Sequence, residues 1–231
     1  MIILAIDSSA KTASAALCNE NHVLAEFSAH TQLTHSQTLM PMTDSLFRAA
    51  GILPGEIDAC AVACGPGSFT GLRIGIAAIK GLAQALGKPC VPVSTLEGLA
   101  QNLQGVCENS LICPVMDARC GQVYNALFDS AGGKLSRLTE DRAIAAEDLL
   151  KEVQDRGKTV FLVGDGADLC YNQYKEVCQE IRLAPPALRF QRAASIGLIG
   201  CRLLAEGKTV TPAHLMPAYL RLPQAERNLK K

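Results

Sequence analysis

The chain has 231 residues, is 48% apolar and carries 22 basic against 22 acidic side chains, so its net charge is zero. That is core enough for one large α/β domain or two small lobes, and it excludes a disordered chain and a basic protein that grips nucleic acid unaided. No apolar run approaches the length of a membrane span, and Met1-Ile2-Ile3 leads straight into a strand, so neither membrane insertion nor a signal peptide is expected.

Residues 2–6 read as a buried strand ending in Asp7-Ser8-Ser9. Residues 12–18 and 23–29 read as two more, joined by a turn at Asn19-Glu20-Asn21. A helix over 36–50 follows, closed by Gly51, with Leu39, Met42, Leu46 and Ala50 on one face, Met40 and Phe47 beside it, and Pro41 in its first turn. An apolar strand at 57–64 then meets G-P-G-S-F-T-G-L-R-I-G at 65–75, which opens a second helix running to Leu86. Ser68 or Thr70 can cap its first free amides. A glycine turn opening a helix is an anion-site candidate, because unpaired amides and the helix dipole point at it; it is equally an ordinary passage from strand to helix. Neither G-x-G-x-x-G nor G-x-x-x-x-G-K-[ST] is present.

This second helix is apolar around most of its circumference. Arg73, Lys80 and Gln84 form one narrow polar stripe. Leu72, Ile76, Ile79, Ala83 and Leu86 form one apolar stripe, and Gly71, Gly75, Ala78, Leu82 and Ala85 another that is rich in small residues. Such a helix must be covered on more than one side: by its own sheet, and by either a neighbouring helix or a partner subunit. A short strand at 90–93 leads into a helix over 94–104, with Ser94 or Thr95 as N-cap and Glu97 placed for a capping box.

The second half begins again. A shift of 110 positions lays Ala5-Ile6-Asp7 over Val115-Met116-Asp117 and Ala16-Leu17 over Ala126-Leu127. Strands are expected at 123–129, 134–138 and 159–163, the last running into Gly164-Asp165-Gly166, and helices at 146–156 and 193–206. From Pro212 the chain reads as irregular, with Pro217 and Pro223; Tyr219-Leu220 tucks back, and the end with Arg227, Lys230 and Lys231 is loose. Two related α/β lobes, 1–109 and 110–231, are the expected organisation. The first carries five basic and eight acidic residues and the second seventeen and fourteen, so any nucleic acid is expected to favour the second lobe.

The ten cysteines lie mainly within apolar runs (Cys18, Cys60, Cys64 and Cys113 among them) and never as C-x-x-C, which points to reduced core thiols and a cytoplasmic setting. Cys60 and Cys64 are four apart on a strand, a core placement. His30 and His35 are five apart, and His22 and His214 isolated, so no pair has ligand spacing and no metal site is expected. Ser68 has no base visible in the sequence, and capping is its simpler role.

A duplicated βββαβα unit, with an Asp closing the first strand of each copy, suggests the actin-like, ribonuclease-H-like superfamily. The opening I-L-A-I-D-S-S at 3–9, the glycine motif at 65–75, D-A-R at 117–119 with G-Q-V-Y at 121–124, and A-Y-L-R at 218–221 resemble the TsaB (YeaZ) family over essentially the whole chain. The resemblance implies a bacterial, cytoplasmic, non-catalytic subunit that supports transfer of a threonylcarbamoyl group to the adenosine beside the anticodon of certain tRNAs. Its implied partners are the catalytic paralogue TsaD, the ATPase TsaE, a second copy of itself, and tRNA through the complex.

Against that implication, actin-like ATPases use a D-x-G turn after the first strand of each lobe, whereas this chain has Asp7-Ser8-Ser9 and Asp117-Ala118-Arg119. Asp7 and Asp117 can hold Mg²⁺ through water, although a strand-ending Asp more simply caps the next turn. The relatives' H-x-x-x-H is missing too, since His35 is followed at i+4 by Leu39. An independent actin-like kinase or a glycoprotease-like hydrolase is therefore the lesser reading. No cofactor is expected on this chain alone, with ATP or ADP and Mg²⁺ conceivable only in the complex. The candidate vestigial anion site comprises Asp7, Gly67, Ser68, Asp117, Gly164 and Gly166. Leu39, Met42, Leu46, Ile74, Ala78 and Leu82 are the expected partner interface.

Overall fold

Strand β1 (Ile3–Asp7) is buried along its whole length, so it must lie mid-sheet with both faces covered. It pairs antiparallel with β2 (Ala13–Cys18) and parallel with β4 (Ala59–Gly65). β3 (Val23–Ala29) and β5 (Cys90–Ser94) complete the order β3-β2-β1-β4-β5. On one face, Leu4, Ile6 and Leu17 meet helices α1 (His35–Ala50) and α2 (Phe69–Leu86) through Leu39, Leu46, Ile76 and Ile79. The computed structural model describes residues 1–221, so Pro223, Arg227, Lys230 and Lys231 lie outside the described residues.

α1 starts at His35, capped by Thr34 in a capping box with Gln37. Pro41 therefore sits in the second turn rather than the first, and its ring points to the exposed side. Ser68 caps α2 by accepting from the Gly71 amide at 3.3 Å.

The second sheet repeats the first. β6 (Ser110–Asp117) is its centre, antiparallel to β7 (Gln122–Asn125) and parallel to β11 (Val160–Val163). With β10 (Arg142–Ala145) and β12 (Ile181–Leu183) the order is β10-β7-β6-β11-β12, strand for strand the arrangement of the first lobe. The strand expected at 123–129 is broken: β7 ends at Asn125 and β8 (Phe128–Ala131) resumes in the same register on β6. Pro114 stands opposite the break and has no amide to donate. Its carbonyl accepts from the Asn125 side-chain Nδ2 at 2.9 Å, and the Leu127 backbone amide turns to Thr139 Oγ1 at 2.9 Å. β9 (Lys134–Arg137) hangs on β8, and β10 supplies the third strand of the repeat, which the sequence reading did not separate.

The lobes exchange helices. α3 (Thr95–Gln101) leaves the first sheet and packs Leu96 and Leu99 on Ile112, Met116 and Val163 of the second. α6 (Ala193–Ala205) returns to cover the other face of the first sheet, against Ile3, Ala5, Ala16 and Cys18. The first sheet is built from residues before 110 and the second from residues after it, while α6, from the second half of the sequence, covers the first sheet. The two helices meet where a Cβ on Gly98 would stand 2.5 Å from the Ile196 methyl, so glycine there lets that methyl keep its place. α4 (Ala146–Gln154) and α5 (Ala167–Tyr174) cover the outer face of the second sheet through Leu149, Val153, Cys170 and Tyr174. The result is a layered α/β/α/β/α stack with α3 and α6 in the middle. All ten cysteines are free, and only Cys120 is exposed.

Candidate functional site: the interlobe cleft and the outer helical face

Each central strand ends in an Asp that folds its own next turn. Asp7 Oδ1 accepts from the Ser9 amide at 2.9 Å and the Ser9 hydroxyl at 2.6 Å. Asp117 Oδ1 accepts from the Arg119 amide at 2.7 Å, with the Arg119 guanidinium 3.3 Å from its other oxygen. The repeat seen in sequence therefore extends to the hydrogen bonds of its turns. Between the two lies Asp165, whose buried Oδ1 has no hydrogen-bond partner among the described residues. Burial pushes the Asp7 carboxyl up to about 6, the Ser9 hydrogen bonds opposing and Asp165 adding to the rise. Burial, aided by the charge of Asp117, likewise brings Asp165 up to about 6.

The glycine motif is spent on packing. The Ser68 amide donates to the Ser9 carbonyl at 2.7 Å, and the Ser8 hydroxyl donates to the Gly71 carbonyl at 2.9 Å. A Cβ on Gly67, Gly71 or Gly75 would overlap Ser9 O, Ser8 O or Ser8 Oγ respectively. The first turn of α2 is thus seated directly on the backbone of the Asp7–Ser9 turn. Gly164 and Gly166 do the same in the second lobe, where both crowd the end of β6 and the Gly166 amide donates to the Val115 carbonyl at 3.0 Å. Asp7, Gly67 and Ser68 are thereby brought together, and so are Asp117, Gly164 and Gly166. In both groups the chain's own backbone occupies the space beside the glycines.

A C-terminal strap ties the lobes across this cleft. The Ala218 amide donates to the Cys64 carbonyl at 2.7 Å. Gly65, at φ 134°, has no side chain to clash with Ala218. Tyr219 stacks on Phe69 with ring centroids 4.9 Å apart and accepts from Arg73 Nε at 2.9 Å. Arg221 then donates to the Ala118 carbonyl in the other lobe. The sequence reading placed Tyr219-Leu220 against the body and took Arg221 as part of the A-Y-L-R motif, but the motif did not show that Arg221 links the lobes.

Three of the four histidines serve local structure. His35 Nε2 lies 2.7 Å from the Ala10 carbonyl, His30 Nδ1 3.0 Å from Thr12 Oγ1, and His214 Nδ1 2.8 Å from Thr211 Oγ1. No three His, Cys, Asp or Glu side chains converge as a ligand set among the described residues. No helix among them is long and apolar enough to cross a membrane.

The outer side of α1 and α2 is the second candidate. Leu39 and Leu46 are removed from it: both are at most 1% exposed and belong to the core of the first lobe. Met42, Ile74, Ala78 and Leu82 are half-buried, and Met42, Ile74 and Leu82 pack against that core while staying partly open. Around them Leu33, Met40, Ala77, Gly81 and Ala85 are exposed, so small and apolar side chains continue beyond what the sheet covers.

Residues 23–229 match the family model for TsaD, tRNA N6-adenosine threonylcarbamoyltransferase. The chain is similar to the tRNA threonylcarbamoyladenosine biosynthesis protein TsaB of Bacillus subtilis, at 34% identity covering 98% of this chain and 96% of that one. Among solved structures it is similar to YeaZ from Pseudomonas aeruginosa, with a TM-score of 0.80 at 28% identity over 95% of this chain and 99% of the other. Component A of (R)-2-hydroxyglutaryl-CoA dehydratase from Acidaminococcus fermentans, at 10% identity and a TM-score of 0.51 over 89% of this chain and 99% of that one, shares the fold alone. The fold is the two-lobed actin-like one that the duplicated strand order implies.

Proposed function

The chain belongs to the TsaB (YeaZ) family, and from that premise we propose that it acts in forming threonylcarbamoyladenosine on tRNA as a non-catalytic, activating subunit. In this reading TsaD carries the transferase site, TsaE the ATPase, and this chain docks on TsaD through the outer side of α1 and α2. On its own it pairs with a second copy through the same side, it acts on tRNA through the complex, and it works in the cytoplasm. The observation that carries the non-catalytic reading is the seating of α2 on the Asp7–Ser9 turn. Ser68 N is taken by Ser9 O, and Gly71 and Gly75 lie against Ser8, so the element that could cradle phosphate is a packing joint. Any ATP or ADP with Mg²⁺ belongs, on this reading, to the assembled complex.

An omission assay tests it. TsaD, TsaE, an activated threonylcarbamoyl donor and unmodified tRNA are combined with and without this chain, and modified adenosine is counted. Product only in its presence, and none from this chain alone, is the expected result. Full product without it would return an independent kinase or glycoprotease-like hydrolase to first place.

A further inference from the structure

Edge strand β3 and the segment 186–192 enclose a cleft of about 530 Å³ that shares no lining residue with the interlobe turns or with the outer side of α1 and α2. The segment is fixed from behind. Asn102 Nδ2 donates to the carbonyls of Leu188 at 2.9 Å and Phe190 at 2.8 Å, and Asn102 Oδ1 accepts from Ser195 Oγ at 2.6 Å. Arg189 reaches the other way, to Asp168 at 2.9 Å and the Ala184 carbonyl at 3.0 Å. The backbone wall of the cleft is therefore held in place, and only the Gln191 side chain has to turn outward to meet a ligand.

Within it, one group is out of balance. Gln191 lines the cleft at 1% exposure, and neither its amide nitrogen nor its amide oxygen has a hydrogen-bond partner among the described residues. Buried amides are almost always paired, and leaving both ends open is costly. The polar neighbours are already engaged: Thr12 with His30 at 3.0 Å, and Glu26 with Arg192 and with the Ala194 amide at 3.0 Å. What suits Gln191 is thus a partner from outside, presenting an acceptor and a donor side by side.

The remaining walls narrow the chemistry. His30 and Phe190 stand with ring centroids 5.3 Å apart at 50°, an aromatic flank for a flat ring. At the rim, the cation of Arg192 is neutralised by Glu26, which favours an uncharged ligand over a phosphate. The size is that of an ordinary small-molecule site. A glutamine amide pairs in bidentate fashion with the edge of a base such as adenine, and unstacked bases are held against aromatic side chains.

We propose that this cleft binds a neutral, unstacked nucleobase, read on its edge by Gln191 and flanked by His30 and Phe190. The base comes either from a free nucleoside or from a looped single-stranded RNA. The site does not depend on the subunit role given above, and its test uses this chain alone.

Adenosine at millimolar concentration and an unmodified anticodon stem-loop RNA are each titrated into the purified full chain by NMR, with wild type compared to Gln191→Met and His30→Ala. The expected result is adenosine binding that weakens at least about tenfold in Gln191→Met, while the thermal midpoint of that variant does not fall. Should Gln191→Met fail to fold, His30→Ala, a change at an exposed residue, must weaken binding instead. Stem-loop binding that adenosine competes away assigns the base to RNA; adenosine binding without such competition assigns it to a free nucleoside. Silence from both probes, or binding unchanged in the variants, overturns the proposal. An omission assay showing this chain dispensable for tRNA modification would leave it standing.

Discussion

Leu46 and Ala78 both belong to the apolar stripes of the first-lobe helices, yet the structure assigns them opposite consequences. Leu46 is fully buried among Leu39, Phe47 and Ile79, so Leu46→Ala removes three carbons from a packed core and leaves a cavity. Such truncations cost about 2–5 kcal/mol. For a chain of this length each kcal/mol lowers the melting midpoint by roughly 2–4 °C, so a drop on the order of 10 °C is expected. Ala78 is half-buried on the outer side of α2, and glutamate is a good helix former, so Ala78→Glu should change stability by less than about 1 kcal/mol. Placed in an apolar interface, however, the same carboxylate must be desolvated without a partner. Calorimetry read beside sedimentation equilibrium and co-purification with TsaD separates the two. Leu46→Ala should melt early yet still associate at low temperature; Ala78→Glu should melt like the wild type and fail to associate. If Ala78→Glu melts as early as Leu46→Ala, or if it associates normally, the outer-side interface is wrong.

Asp7→Asn tests the buried carboxyl. Its raised value means that native and unfolded chains both hold the proton below 3.8, and that stability is lost as the pH rises through about 6, because the native state must then ionise a buried group. The penalty is about 3 kcal/mol at neutral pH and above. An asparagine oxygen still accepts from Ser9, so the variant should melt higher than wild type at pH 8 and no higher at pH 4; equal gains at both would count against burial as the cause. Gly71→Ala forces a Cβ onto the Ser8 carbonyl, for which about 1–3 kcal/mol of destabilisation is expected in denaturant titration. Gly81→Ala, where a Cβ meets nothing within 4 Å, should instead be neutral or slightly stabilising. Arg221→Ala frees the Ala118 carbonyl from the strap, and amide exchange should quicken at 118–121 while β1 and β4 stay protected; unchanged exchange there would deny the strap a role in holding the lobes together.

How much of this was legible follows from what each feature writes into the chain. The central strand opening each lobe was readable because β1 and β6 are buried on both faces and end in the same Asx turn, which imposes composition and spacing together, whereas β10 and β12 were not. The gap between β7 and β8 was not, since it depends on Pro114 standing across the sheet from it. Leu39 and Leu46 carried the same helical spacing as Met42, and only the tilt of α1 on its sheet decides which of them turn inward. The exchange of α3 and α6 was equally silent: α6 is apolar over most of its circumference and would suit either lobe.

The glycine motif shows why a phosphate cradle and a packing joint look alike in sequence. To bring backbone amides up to a phosphate, a helix must begin with residues lacking side chains. To seat that same helix on another stretch of backbone, it must begin the same way. Spacing cannot tell the two apart; what occupies the space can, and here it is Ser8 and Ser9. That substitution has a consequence for the whole molecule. A cradle that waits for a ligand leaves the lobes free to open and close, whereas one filled by its own chain, and strapped by residues 218–221, couples the outer side of α2 rigidly to the cleft. A rigid body of this kind suits a subunit whose contribution is to hold a partner in position, because no ordering cost falls on the interface when the two meet.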